Sequence, residues 1–212
     1  MAQFIIKSTS SIEESKIITP TTLGEGREWL NDLELTDVYQ AMGLETPFVQ
    51  QSSQTLARGV MRGLYFQRKD SYGRLLAVTS GRALAIVVDL RPECESFGAA
   101  NSVELSAENE SMLYVPPYFA CGYMTLEPKT TILCNHEGEY DPKEESGIIF
   151  DDEIISINWQ FERYEIDERR LNISPRDKKF PNFRSYNPNS LWINRPKKSK
   201  YALSRERKRI IV

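Results

Sequence analysis

Gly59-Val60-Met61-Arg62-Gly63-Leu64-Tyr65-Phe66-Gln67 is the stretch on which the reading of this chain turns. Its two glycines permit close backbone approach, and apolar Val60, Leu64 and Phe66 suit a half-buried strand. Simple alternation puts Arg62 and Leu64 on one face and Gly63 and Tyr65 on the other, unless a bulge intervenes. An arginine held on such a strand either pairs internally or presents its donor fork to an anion such as phosphate.

Outward from this stretch the pattern is strand after short strand. Candidates are 58–67, 75–78, 84–89, 103–105, 112–115, 121–126, 130–135 and 154–159. Turn signals separate them: Ser80-Gly81, Glu108-Asn109, Val115-Pro116-Pro117 and Glu127-Pro128. Many short strands at regular spacing predict an antiparallel sandwich or barrel. The near-continuous run Leu84-Ala85-Ile86-Val87-Val88 predicts a strand covered on both faces. Before these strands, residues 1–23 offer an edge strand or a flexible arm. Gly24-Glu25-Gly26 reads as a turn, and 37–44 as a short helix stopped by Gly43.

The 212 residues most simply make one domain with a terminal appendage. Composition shifts near Lys178. A domain over 1–178 is expected to be followed by a basic extension over 179–212. Its aromatics Phe183, Tyr186, Trp192 and Tyr201 are expected to pack on the domain while its charges stay solvated, the alternative being a polyanion or an acidic partner. A net charge of −3 gives no overall case for nucleic acid, and no apolar run reaches the roughly 20 residues that span a bilayer. Cys94, Cys121 and Cys134 lack metal-ligand spacing and suit reduced thiols in a cytoplasm. One histidine, His136, cannot build a multi-histidine metal centre. No cofactor or metal is expected.

With the strands placed, the motifs become legible together. Phe48-Val49-Gln50, Gly59-Val60-Met61-Arg62-Gly63-Leu64, Val88-Asp89-Leu90-Arg91 and Ser96-Phe97-Gly98 come first. Leu105-Ser106-Ala107-Glu108-Asn109, Gly147-Ile148-Ile149-Phe150-Asp151-Asp152 and Ile173-Ser174-Pro175-Arg176-Asp177 follow. In order and spacing over 24–177 the chain resembles the dTDP-4-dehydrorhamnose 3,5-epimerases of deoxysugar biosynthesis. The resemblance implies a mainly β, cupin-type jelly roll (a double-stranded β-helix) with short peripheral helices. It also implies a cytoplasmic homodimer feeding a surface polysaccharide or glycosylated metabolite, and a nucleotide-linked 4-keto-6-deoxy sugar as ligand. The family moves protons at carbons flanking a ketone, which needs a base on one face, an acid on the other and a cation near the enolate.

The departures fall on that chemistry. The resemblance puts Tyr65 where the family has its base histidine, Cys134 where it has the acid tyrosine, and Cys121 where it has a second histidine. Ala85 stands for an aspartate, Ser52 for an asparagine, Asp32 for a glutamate, and Arg74 for the lysine beside the ketone. Asp177, partner of the missing base, is kept. The implied catalytic set is therefore Tyr65, Cys134, Asp177 and Arg74. The implied substrate-binding set is Arg27 (across a dimer interface), Gln50, Arg62, Cys121, Tyr140 and Arg176. Crowding by Arg62 and Arg74 is expected to lower the pKa values of Tyr65 and Cys134. His136 matches no family catalytic position and is expected in a surface loop. Two functions stay open: altered acid–base chemistry on a keto-sugar nucleotide, or a binding or partner role without turnover.

Overall fold

The computed structural model describes residues 3–21, 40, 42, 44 and 47–186. In chain order the strands are β1 (Gln3–Ser8), β2 (Lys16–Thr21), β3 (Gln50–Leu56), β4 (Val60–Gln67), β5 (Arg74–Ser80) and β6 (Arg82–Asp89). They continue with β7 (Ala100–Ser106), β8 (Met112–Val115), β9 (Phe119–Thr125), β10 (Thr130–His136), β11 (Glu145–Gly147) and β12 (Asn172–Ile173). One sheet has the order β1-β2-β8-β5-β10-β3. The other has β11-β4-β9-β6-β7, with β12 laid parallel along β4. This is the expected jelly roll. Helical structure among the described residues is limited to short 3-10 turns at Glu168–Arg170, Asp177–Lys179 and Phe183–Ser185, and to Gln40 and Met42. Leu44 is not helical, and residues 37–39, 41 and 43 of the expected helix lie outside the described residues.

Apolar side chains fill three layers rather than one. Ala83, Ala85 and Val87 of β6 point between the sheets, packing with Leu76, Leu113, Phe119 and Ile132. Leu84, Ile86 and Val88 point the other way, under Ile148, Ile155, Trp159 and Ile173 of the later chain. The run 84–88 is thus covered on both faces, as its composition predicts. A third layer, with Ile18, Leu75, Met112 and Tyr114, lies under the first residues of the chain.

All four turn signals fall in connections. Gly81 takes a left-handed φ of 73° between β5 and β6, and Asn109 Oδ1 accepts the backbone N–H groups of Ser106 and Ser111. Val88-Asp89-Leu90-Arg91 and Ser96-Phe97-Gly98 make one knot around the Asp89 carboxylate. Asp89, fully buried, accepts from Arg91 Nη2 and Ser96 Oγ at 2.6 Å each, and Arg91 reaches on to Glu14 at 2.6 Å. The knot ties the β1–β2 connection to the end of β6.

One reading is corrected. The segment 154–159 is no strand: Asp152 Oδ1 accepts the N–H groups of Ile154 and Ile155, and Ser156 has a φ of 50°. Its apolar pattern instead serves Ile155 and Trp159, which plug the outer face of the second sheet. Packing also continues past Lys178. Asp152 Oδ2 accepts from Phe183 N at 2.6 Å, and Phe183 and Tyr186 rest on the same layer. Trp192, Tyr201 and the basic end lie outside the described residues.

What positions the site is an irregularity in β4. Its register against β9 shifts between Arg62 and Tyr65. Met61 and Leu64 therefore share the outer face, while Arg62 and Tyr65, three residues apart, share the inner one. Gly63 sits in the shift with a φ of 104°, and its peptide bond to Leu64 is cis. A Cβ on Gly63 would lie 2.7 Å from Gly122 Cα and 2.8 Å from Cys121 O. No side chain fits there.

Gly59, just before β4, supplies the control: its φ is 76°, but a Cβ would meet nothing within 4 Å. Urea denaturation should show Gly59→Ala losing about 1–2 kcal/mol, the left-handed penalty alone. Gly63→Ala should lose clearly more, because β9 must also move. Equal losses would mean that β4 and β9 can separate at no cost.

Candidate functional site

A cavity of about 400 Å³ opens between the sheets. Strand alternation decides what faces it. β3 supplies Gln50, Ser52 and Gln54; β5 supplies Arg74; β10 supplies Ile132, Cys134 and His136, each set spaced by two. The opposite wall carries Arg62 and Tyr65 of β4 with Cys121 and Tyr123 of β9, and Tyr140, Glu145 and Arg176 complete the lining. Of the residues singled out from sequence, Tyr65, Cys134, Arg74, Gln50, Arg62, Cys121, Tyr140 and Arg176 all line this one cavity. Arg27 lies outside the described residues. Ala85, at the family's aspartate position, is buried in the inter-sheet core.

Asp177 enters through Tyr65, whose Oη donates to Asp177 Oδ2 at 2.7 Å. Asp177 is 1% exposed and opens a 3-10 turn, its N–H on Ser174 Oγ. The Tyr65 ring meets Phe180 edge-on at 5.8 Å, and the Arg176 guanidinium lies over it at 5.6 Å. Arg176 is also ion-paired with Glu145, which accepts from Tyr140 Oη at 3.1 Å. Gln50 Oε1 accepts the Tyr140 N–H at 2.8 Å.

The two remaining arginines are placed differently. The Arg62 side chain makes no hydrogen bond or ion pair among the described residues, and it lines the cavity. Arg74 spends Nη2 on the carbonyls of Tyr65 and Phe119, at 3.2 and 3.0 Å, bracing the two sheets. Its other nitrogens face no partner among the described residues.

The expected pKa directions are reversed. Burial pushes the Tyr65 phenol well above its usual range, and the bond to the Asp177 carboxylate adds to this, against a smaller opposing pull from Arg62. Burial likewise pushes the Cys134 thiol up to about 12, with Arg74 too weak to offset it, and raises Cys121. Desolvation of the charged form outweighs the arginines. Both groups stay protonated at neutral pH.

His136 is a further correction. It is the last residue of β10, half-buried and facing the cavity, not in a surface loop. Its Nε2 lies 3.2 Å from Ser52 Oγ, and its ring meets Tyr72 edge-on at 5.7 Å. Burial and the Arg74 charge push the imidazole down to about 4, so it is neutral at pH 7. Counting two residues on from Cys134 along the strand is the signal that finds it. The same count from Cys121 finds Tyr123, and from Gln50 finds Ser52 and Gln54.

The family model described as dTDP-4-dehydrorhamnose 3,5-epimerase matches residues 9–185. The chain belongs to the dTDP-4-dehydrorhamnose 3,5-epimerase family. It is 34% identical over 178 residues to such an enzyme from Methanothermobacter thermautotrophicus, covering 82% of this chain and 96% of that one. A Salmonella typhimurium relative of the same description is 32% identical over 154 residues, covering 72% and 84%. Among solved structures, a dTDP-6-deoxy-D-glucose-3,5-epimerase from Legionella pneumophila in complex with dTDP-4-keto-L-rhamnose is similar at a TM-score of 0.80. It is 26% identical over 89% of this chain and 97% of that one. A Bacillus anthracis epimerase with TDP and PPi bound is similar at 0.76 and 26%, covering 85% and 99%. The epimerase-family fold is thus intact around a cavity whose opposite walls carry Tyr65 and Cys134.

Because His136 is the chain's one histidine, its titration is directly assignable. The ring-proton resonance should titrate with a midpoint near 4 instead of 6.5. A folded-state value below the unfolded one means the unfolded chain binds the extra proton between those limits. His136 therefore contributes stability in full above pH 6.5 and loses it as pH falls toward 4. The neighbouring Glu137, raised by burial, has the opposite slope, so the comparison is between wild type and His136→Gln. The variant should show a flatter loss of Tm as pH falls from 6.5 toward 4. An imidazole midpoint near 6.5 would contradict the buried placement.

Proposed function

We propose that this protein binds a dTDP-linked 4-keto-6-deoxy sugar between its sheets and exchanges protons beside the ketone by altered acid–base chemistry. The observation that carries this reading is the 2.7 Å bond from Tyr65 to Asp177 on the wall facing β10. A raised pKa rules out a standing phenolate, but the pair acts as one base. As Tyr65 Oη takes the proton from carbon, its own proton passes to Asp177 Oδ2, and the electron pair moves onto the ketone oxygen near Arg74. Cys134, protonated at neutral pH, holds the proton that the other face of the ring requires; the thiolate it leaves is strongly basic and is reprotonated through solvent. Arg62 is placed for the diphosphate, as the planar fork of a free guanidinium suits phosphate oxygens.

The named ligands of the Legionella and Bacillus structures support a dTDP-sugar as the occupant. A homodimer, with Arg27 of the second subunit at the phosphates, and a cytoplasmic setting belong to the same reading. No helix among the described residues is long and apolar enough to cross a membrane. A second reading, binding without turnover, is favoured by one observation: burial moves Tyr65 and Cys134 away from easy ionisation.

Incubation with dTDP-4-keto-6-deoxyglucose in deuterated water separates the two. Deuterium should enter C3 or C5, and Tyr65→Phe and Cys134→Ala should each slow entry by about 10²–10⁴-fold while dTDP still raises Tm. A protein that dTDP stabilises but that washes in no deuterium is a binding module. Arg62→Ala should weaken the dTDP shift; an unchanged shift would remove that residue from the phosphate site.

A further inference from the structure

β10 presents Ile132, Cys134 and His136 to the cavity in succession, and the mechanism above uses only the middle one. His136 Nδ1 is buried with no hydrogen-bond partner, whereas Nε2 faces Ser52 Oγ at 3.2 Å. A proton on Nδ1 would be a buried donor without an acceptor; on Nε2 it has an oxygen to serve and leaves only an unused lone pair behind. The imidazole is thus a neutral N–H donor at the cavity wall. Arg74 is its direct cross-strand partner on β5, which sets their Cβ atoms roughly 5 Å apart. With Nη2 held by the carbonyls of Tyr65 and Phe119, the Arg74 guanidinium is fixed in place and keeps Nε and Nη1 unbonded among the described residues. A fixed cation and a neutral N–H thus stand on adjacent strands and line the same cavity.

We propose that His136 and Arg74 form an oxygen-recognition subsite in which both hold one carbonyl oxygen of the bound sugar, the ligand oxygen taking the place of the Ser52 hydroxyl on Nε2. This rests on the nucleotide-sugar reading and adds to it a specificity-determining residue. A neutral imidazole suits a carbonyl because it donates without giving up a proton, and donors fixed in advance favour the charge that develops on enolisation. Ser52 keeps Nε2 satisfied while the site is empty. Tyr72, edge-on to the ring, holds its plane.

The test is titration calorimetry with dTDP and with dTDP-4-keto-6-deoxyglucose, on wild type, His136→Phe and His136→Gln. His136→Phe keeps a ring against Tyr72 and deletes the donor. It should bind the keto-sugar nucleotide about tenfold more weakly while dTDP affinity changes less than about twofold. His136→Gln restores an N–H and should recover most of the loss. Equal weakening for both ligands, or no weakening for either, overturns the subsite while the nucleotide-sugar reading stands. Wild type that binds neither ligand overturns that reading and the subsite with it.

Discussion

The backbone of β4 lies against that of β9 so closely at Gly63 and Gly122 that neither position tolerates a Cβ. At Gly63 the intruding atom would fall 2.7 Å from Gly122 Cα, and at Gly122 it would fall 2.5 Å from Arg62 O. This contact holds the register shift that turns Arg62 and Tyr65 to the same side. From it follow the cavity-facing guanidinium, the reach of Tyr65 to Asp177, and the burial of Leu64 with the outer core. Leu64 is then bracketed from the other edge, exchanging backbone hydrogen bonds with Ile148 at 3.0 and 3.2 Å. A strand of ordinary alternation would have sent either the arginine or the tyrosine into the apolar layer.

That shift marks the boundary of what the residue pattern discloses. Strands with one or two apolar faces, such as β6 and β10, are legible because burial imposes a period on their side chains. β3, with the sequence Gln50-Gln51-Ser52-Ser53-Gln54-Thr55-Leu56, is not: among the described residues it is an edge strand pairing with β10 alone, and polar residues stand on both its faces. Ile154 to Trp159 misleads in the opposite sense. An alternating apolar run serves a plug as well as a strand, and only the Asp152 carboxylate turning back on Ile154 and Ile155 decides between them. The candidate site is legible from motif positions, and eight of its side chains do meet in one cavity. His136 escapes that reading because it lies on no motif, though it stands two residues from Cys134.

The charges around the cavity explain why the expected pKa directions fail. Counting arginines near Tyr65 and Cys134 suggests easier ionisation. Depth and partners do not enter such a count. Asp177 gives Tyr65 a carboxylate neighbour that resists a second negative charge, and Cys134 faces Cys121 in a desolvated wall. Both acidic partners are themselves occupied, Asp177 by the phenol and Glu145 by Arg176 and Tyr140. The site is left with neutral proton donors and with two guanidiniums that have donors to spare.

This balance constrains any chemistry the cavity supports. A family base histidine ionises near neutral pH, whereas Tyr65 backed by Asp177 offers a proton acceptor only while a proton moves along the pair. Removing a proton from carbon by such a pair is favourable only if the carbanion is strongly stabilised as it forms. The same burial that withholds ionisation from Tyr65 and Cys134 strengthens the field of Arg74 and Arg62, since charge interactions grow as water is excluded. What the site loses in basicity it must therefore recover at the carbonyl oxygen, the role proposed for Arg74 and His136. On the proposed reading, the weight of catalysis shifts from the base on β4 to the electrophilic strands β5 and β10 across the sandwich.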